Sequence, residues 1–257
     1  MRSDEDFMLP IYLINLPRQT ERLENFKINN AFLKEHINVF PAYEGIRLAR
    51  RQLIVDGLIT EKNLYKARAL GILKSHYELW KIAADSEHGI TIMEDDVIIH
   101  PDFIKESQKI TNSDHQHDII AWGYNIDWPI RLQNAKGLPS SLISYLIQVG
   151  KTEFVAINQI GAYGDKIDKK VYLSQSITPD LIACKMFAGL PCYSVTPKGA
   201  KALLEQFPID CYNIQFYGAL SAINYEYGID ITLEHLTRNM DVVLASPFLA
   251  YSENIKG

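Results

Sequence analysis

The densest chemistry in this sequence lies in ITIMEDDVIIHPDF, where an apolar run ends in three consecutive carboxylates, Glu94, Asp95 and Asp96. If the run is a strand, residues i and i+2 share a face, so Glu94 and Asp96 point together and Asp95 points away. Two carboxylates converging at the C-terminal end of a strand make a hard, anionic oxygen site. Mn²⁺ or Mg²⁺ suits it, with water and substrate phosphate filling the remaining coordination. The ligand crevice of open α/β sheets lies outside those same strand ends. An acidic surface turn would carry the same residues and bind nothing.

Further candidates flank other apolar runs. Asn15, Arg18 and Arg22 sit at and after IYLINL, and the planar arginine fork can bind two phosphate oxygens together. A solvated helix start favours the same residue types. Glu44 and Gly45 follow INVFPA, where a plain turn and a ligand contact look alike. His76 shares a helical face with Ile72, Leu73, Trp80 and Ala83, the usual setting of a hydrogen-bonded core histidine. HQH at 115–117 has metal-ligand spacing but lies in a polar loop, TNSDHQHD. His235 could add a third metal ligand or sit on a surface strand. Tyr and Trp side chains in 122–128 could stack on a ligand or fill the core. Asp210, in FPIDCYN, could cap a following helix or accept a substrate proton.

Strands and helices must position these groups. IYLINL (11–16), INVFPA (37–42), GITIMEDD (89–96), DIIAWG (118–123) and PCYSVT (191–196) read as strands. Helical patterns fall at 21–33, at about 65–85 and at 197–207, the last with Thr196 as N-cap and Pro197 in its first turn. A further helix is expected near 212–227, and ITLEHL and VVLASPFLA are expected to be closing strands. The segment 124–180 reads as loops and short strands, where acceptor sites of α/β enzymes usually form. Alternation of strand and helix predicts an α/β fold, a mostly parallel sheet flanked by helices.

Composition narrows the function classes. With 47% hydrophobic and 22% charged residues in 257, disorder and low complexity are excluded and one single domain over 1–257 is expected. There are 31 acidic against 26 basic side chains and no basic stripe, so nucleic acid is an unlikely partner. Three cysteines outside any CxxC pair read as reduced thiols. The start MRSDEDFM has no apolar core of a signal peptide, and SLISYLIQV (141–149) falls short of a transmembrane segment. The expectation is a soluble, cytoplasmic protein. GxGxxG after the first strand, GxxxxGK[ST], GxSxG and HExxH are absent, which removes support for dinucleotide, P-loop, hydrolase and zincin chemistry.

The segment ALGILKSHYELWKIAADSEHGITIMEDDV resembles glycosyltransferase family 25, in which a Gly-x-x-x-Ser-His helix precedes a strand ending in Glu-Asp-Asp. INLPRQTER, FPAYEG, CYSVTPKGAKALLE, PID and VVLASP are similar to further family segments in the same order, over about 10–250. Pro17, Glu44 and Ile72 stand where the family usually has Asp, Asp and Cys. CYNIQFYGA lacks an acid often found after PID, and AWGYNIDWP matches nothing in the family.

The resemblance implies a GT-A-like fold, with about 10–123 as the nucleotide-sugar and metal half and about 124–250 as the acceptor half. It implies an inverting, metal-dependent glycosyltransferase that moves a sugar, galactose first among candidates, from a UDP-sugar donor. Glu94 and Asp96 would hold the Mn²⁺ or Mg²⁺ ion. Asn15, Arg18, Arg22, Glu44, Gly45, Ser75, His76 and Asp95 would contact the donor. Asp210 would be the general base, with Asp180 and Glu226 next in line. The acceptor would be a hydroxyl of a cell-surface glycan such as lipooligosaccharide, lipid-linked and met peripherally at the inner membrane. The alternatives are a protein or modified nucleic-acid acceptor, or a catalytically silent sugar-nucleotide-binding module.

Overall fold

Alternating apolar residues form strand β1 (Ile11–Asn15), whose Ile11, Leu13 and Asn15 are buried while Tyr12 and Ile14 are half-buried. The computed structural model describes residues 7–113, 117–124, 130–132, 145–148, 154–157, 168–187, 189–210 and 228–252. Strand β2 (Ile37–Pro41) pairs parallel with one side of β1, and β3 (Ile90–Glu94) pairs parallel with the other. Helix α1 (Thr20–Asn29) connects β1 to β2; α2 (Arg50–Val55) and α3 (Ala67–Asp85) connect β2 to β3. This crossover pattern brings the C-terminal ends of β1, β2 and β3 to one edge, beside the first turns of α1 and α3.

The chain continues through β4 (Val97–Ile99), α4 (Phe103–Thr111), β5 (Ile119–Gly123), β6 (Ile130–Leu132), β7 (Tyr145–Gln148), β8 (Phe154–Ile157), α5 (Lys169–Ser174), β9 (Asp180–Met186) and β10 (Cys192–Val195). Helices α6 (Pro197–Leu204) and α7 (Ile229–Thr237) and strands β11 (Val242–Ser246) and β12 (Ala250–Ser252) follow. Among the described residues the main sheet has the order β2-β1-β3-β10-β5-β11-β9-β6-β8-β7. In its first seven strands β2, β1, β3, β5 and β11 share one direction, so the sheet is mostly parallel, as expected. β10 runs antiparallel between β3 and β5, and β9 antiparallel on β11. A fully buried strand is apolar on both faces whichever way it runs, so PCYSVT could not disclose its direction. The short strands expected after 124 extend the sheet beyond β9 with antiparallel pairings in the order β9-β6-β8-β7.

One expected strand is a helix. ITLEHL lies within α7, which buries Ile229, Thr232, Leu233, Leu236 and Thr237. Its β-branched residues suggest a strand, but buried positions three and four apart are helical periodicity, and that packing decides. Thr196 does cap α6, its Oγ1 accepting from the Gly199 amide at 3.1 Å. The helix expected at 212–227 lies outside the described residues.

The centre of the sheet is stitched by buried hydroxyls. Ser194 of β10 meets Thr91 Oγ1 of β3 at 2.8 Å and accepts from Trp122 Nε1 of β5 at 2.7 Å. Trp122 is fully buried and Tyr124 is 7% exposed, so these aromatics are core. Trp128 lies outside the described residues. Just past β3, Asn30 at the end of α1 is also fully buried. It donates to the Phe26 and Val97 carbonyls at 3.0 Å and accepts from the Ile99 amide at 2.8 Å. That anchor fixes β4 immediately after the acidic turn.

Helix α3 buries Leu70, Leu73, Leu79, Trp80 and Ala83 against this core. Its other contact is the loop after β2, and two glycines let the backbones touch. A Cβ on Gly45 would lie 1.6 Å from the Ala67 carbonyl oxygen, and one on Gly71 2.5 Å from the Tyr43 carbonyl oxygen. Both obstacles are backbone and cannot rotate away. Gly71→Ala should therefore destabilise the fold by about 1–3 kcal/mol, the usual cost of overpacking, despite alanine's better helix propensity. Chemical denaturation checks this; an unchanged midpoint would mean the loop yields freely.

Candidate functional site

The strand-end edge holds a cavity of about 460 Å³. Leu16, Arg18, Gln19 and Arg22 line it from the region after β1, Ala42 to Ile46 from the loop after β2, and Ala67, Arg68, Gly71, Ile72, Ser75 and His76 from α3. Glu94, Asp95 and Asp96 close it from the end of β3. Eleven residues were expected at a site: Arg18, Arg22, Glu44, Gly45, Ser75, His76 and the three acids line this one cavity, while Asn15 lies behind it and Asp210 elsewhere.

The acids do not alternate as an extended chain would place them. β3 ends at Glu94 and the chain turns through Asp95 and Asp96 before β4, so all three reach the cavity. Asp95 is the most enclosed. Its Oδ2 accepts from Asn15 Nδ2 at 2.6 Å and its Oδ1 meets the Arg22 guanidinium. Burial still lifts its carboxyl above the usual range, against the pull of the Asn15 amide and Arg22. Arg22 also lies 3.5 Å from Asp96 Oδ2, whereas Asp96 Oδ1 is buried without a hydrogen-bond partner among the described residues. Glu94 is raised well above the ordinary carboxylate value, first by burial, then by the negative charges of Asp96, Asp230 and Asp95, with Arg22 opposing. A third of the Glu94 side chain stays accessible from the cavity, so its position is the cavity floor and not the core.

The remaining expected donor residues are held by one another. Glu44 takes Arg18 Nε on one oxygen and Arg47 Nε, at 2.6 Å, on the other. Gly45 is required by close backbone packing on α3. Ser75 is 1% exposed; its hydroxyl donates to the Gly71 carbonyl at 2.8 Å and accepts from the Tyr43 amide at 2.9 Å, so it pins the β2 loop. His76 is also 1% exposed, with Nδ1 2.8 Å from Tyr193 Oη and Nε2 3.6 Å from Glu94 Oε1. Burial lowers its pKa to about 3, against the attraction of Asp230. At neutral pH the His76–Glu94 approach is therefore that of a neutral imidazole and not an ion pair.

Asp210 does not line the cavity. It accepts from Thr60 Oγ1 at 3.0 Å, beside the bridge between Ile59 and Ile209. Asp180 is exposed at the start of β9, and Glu226 lies outside the described residues. His117 of the HQH pair meets Asp241 Oδ2 at 2.9 Å; the other two residues lie outside the described residues. His235 lies on α7 and not on a surface strand. Among the described residues no three His, Cys, Asp or Glu side chains are grouped to hold a metal ion. Glu94 and Asp96 are two carboxylates at one cavity edge, a donor set of the kind that Mg²⁺ or Mn²⁺ completes with water and phosphate.

Sequence reasoning missed Arg68, Tyr43 and Asp230. Arg68 was legible, because it lies one turn before Gly71 and Ile72 on the face that carries Ser75 and His76. Asp230 was not, since 134 residues separate it from Asp96 and only the packing of α7 near α3 brings its charge to Glu94.

The family model of glycosyltransferase family 25 (LPS biosynthesis protein) matches residues 8–214. A Drosophila melanogaster protein, a glycosyltransferase 25 family member, is 31% identical over 127 residues, 44% of this chain and 20% of the fly protein. The matched region thus spans about a fifth of that relative. A solved structure of the inositol-1-phosphate CTP transferase from T. maritima is similar at a TM-score of 0.37 and 11% identity, over 95% of this chain and 89% of its own. Among the described residues no helix is long and apolar enough to cross a membrane.

The Glu94 shift has a sign that can be measured. A carboxyl whose folded pKa is raised contributes stability that is complete below its unfolded value of 4.5 and is lost as pH rises through the folded value. Ionised Glu94 therefore costs stability at neutral pH. Glu94→Gln should melt above the wild type at pH 7 in divalent-free buffer, and the gap should shrink toward zero below pH 4.5. Thermal melts across pH test it, and a variant less stable at pH 7 would contradict the assignment.

Proposed function

Because the chain belongs to glycosyltransferase family 25, we propose that its strand-end cavity binds a nucleotide-sugar donor and that the protein transfers the sugar to an acceptor hydroxyl. One observation carries the reading: Asp96 Oδ1 is buried without a hydrogen-bond partner among the described residues, within a triplet of carboxylates beside a cavity lined by three arginines, Arg18, Arg22 and Arg68. An unpartnered buried carboxylate oxygen is costly, and a hard cation satisfies it. Glu94 and Asp96 would hold that Mn²⁺ or Mg²⁺ ion. Bound there, it would supply charge stabilisation to the leaving nucleoside diphosphate.

The chain's own groups complete the site. Asp95 anchors Arg22 and Asn15, so a guanidinium stands at the mouth of the acid cluster, where phosphate oxygens would need a planar donor. Glu44 orients Arg18 in the same way. Tyr43 and Ile46, 38% and 81% exposed, give the β2 loop an apolar edge suited to a base or sugar face. The family's description as an LPS biosynthesis protein supports a cell-surface glycan acceptor such as lipooligosaccharide, and the sequence resemblance makes UDP-galactose the leading donor.

Nucleotide release measured over UDP-, GDP- and CMP-sugars with Mn²⁺ should single out a UDP-sugar, UDP-galactose first. Asp96→Ala should abolish Mn²⁺-dependent donor binding while its Tm changes little. Donor and Mn²⁺ binding equal to the wild type would move the site elsewhere.

Inverting displacement also needs a base opposite the leaving group, and Asp210 is the candidate by its place in PID. Asp210→Asn should keep donor binding and lower kcat by at least about a hundredfold. Normal turnover with an earlier melt would instead make its carboxylate a tie to Thr60.

A further inference from the structure

Behind the acid cluster runs a buried polar chain that the proposed donor site does not itself use. Trp80 and His76 stand one turn apart on α3, and both meet Tyr193 Oη from β10, Trp80 Nε1 at 2.8 Å and His76 Nδ1 at 2.8 Å. The His76 and Tyr193 rings lie nearly parallel, 25° apart, with centroids 5.8 Å apart. All three side chains are 1% exposed or less. The far nitrogen of His76, Nε2, is buried without a hydrogen-bond partner among the described residues and lies 3.6 Å from Glu94 Oε1.

The proton positions follow from what each group can do. Indole N–H is a donor only, so Tyr193 Oη accepts from Trp80. The phenol has one proton left, and the acceptor at hydrogen-bond distance is His76 Nδ1. A neutral imidazole that accepts at Nδ1 carries its proton on Nε2. The opposite tautomer would leave the buried phenol proton without that acceptor, which is unfavourable in a buried site.

We propose that Tyr193 is a positioning residue that fixes His76 as the Nε2–H tautomer, so that His76 presents a proton to Glu94 Oε1 and withholds its lone pair from the cation site. This rests on the cation reading of the same cavity and adds to it a reason for oxygen-only ligation. An imidazole lone pair beside two carboxylates would favour Zn²⁺ or Ni²⁺; an imidazole N–H facing Glu94 Oε1 instead leaves a hard-oxygen site for Mn²⁺ or Mg²⁺.

The test needs no turnover. In metal-free protein labelled with ¹⁵N-histidine, NMR should show His76 protonated at Nε2 and bare at Nδ1. Tyr193→Phe should lose that preference, while Trp80→Phe, which keeps the Tyr193 O–H to Nδ1 contact, should retain it. Mn²⁺ titration should then show affinity about 10- to 100-fold weaker in Tyr193→Phe, the usual loss when a partner behind a ligand is removed. Zn²⁺ affinity should fall less or rise. A wild-type His76 protonated at Nδ1, or a Tyr193→Phe protein with unchanged tautomer and Mn²⁺ affinity, overturns the proposal. If Tyr193→Phe does not fold, the wild-type and Trp80→Phe spectra still decide it. A wild type that shows the Nε2–H tautomer but binds no Mn²⁺ defeats the cation reading, and with it the withholding role, while the Tyr193–His76 arrangement stands.

Discussion

Three carboxylates on consecutive residues repel one another, and a chain that places them at the end of a buried strand must hold them against that repulsion. The surroundings of β3 answer this need. Asp95 is locked by Asn15 and Arg22, Asp96 shares Arg22 on one oxygen only, and Glu94 faces His76 at a distance longer than a hydrogen bond. Among the described residues the compensation is incomplete, as the raised Glu94 carboxyl and the Asp96 oxygen without a hydrogen-bond partner record. Carboxyls raised by burial and by one another cluster at functional sites.

Much of the neighbouring architecture serves that arrangement. Asn30 fastens β4 just beyond the turn, and the Glu94 amide donates to the Pro191 carbonyl at 3.0 Å, so the triplet is bracketed on both sides. Gly45 and Gly71 let the β2 loop lie on α3, and Ser75 pins that loop through the Tyr43 amide. Two expected donor residues, Gly45 and Ser75, thus act on the cavity by shaping its wall. β10, inserted between β3 and β5, carries Tyr193 under His76 and Ser194 between Thr91 and Trp122. Strand insertion and polar support of the site are the same feature.

The pattern of strands and helices from β1 to β3 was legible because each element is long or strongly periodic. IYLINL, the helix ending at Asp85 and GITIMEDD fall within a few residues of their observed bounds. The shared cavity followed from it, since groups at the ends of parallel neighbours must meet. Reading failed where composition and periodicity disagreed, as in ITLEHL, and where a rule of extended chains was carried past the end of a strand, as for Asp95. Asp210 was placed by its motif, and it took the packing to show that its carboxylate meets Thr60.

By itself, then, the sequence determined the α/β alternation, the acidic strand end and the residues that gather near it, because hydrophobic period and local order fix elements and their sequence. The tertiary structure alone decided the direction of β10, the approach of Asp230 through α7, and the pairing of His76 with a tyrosine 117 residues away. Those outcomes depend on which surfaces pack together. A buried strand is apolar in either direction, and a side chain's partner is set by the elements packed beside it, neither of which is written in the spacing of residues along the chain.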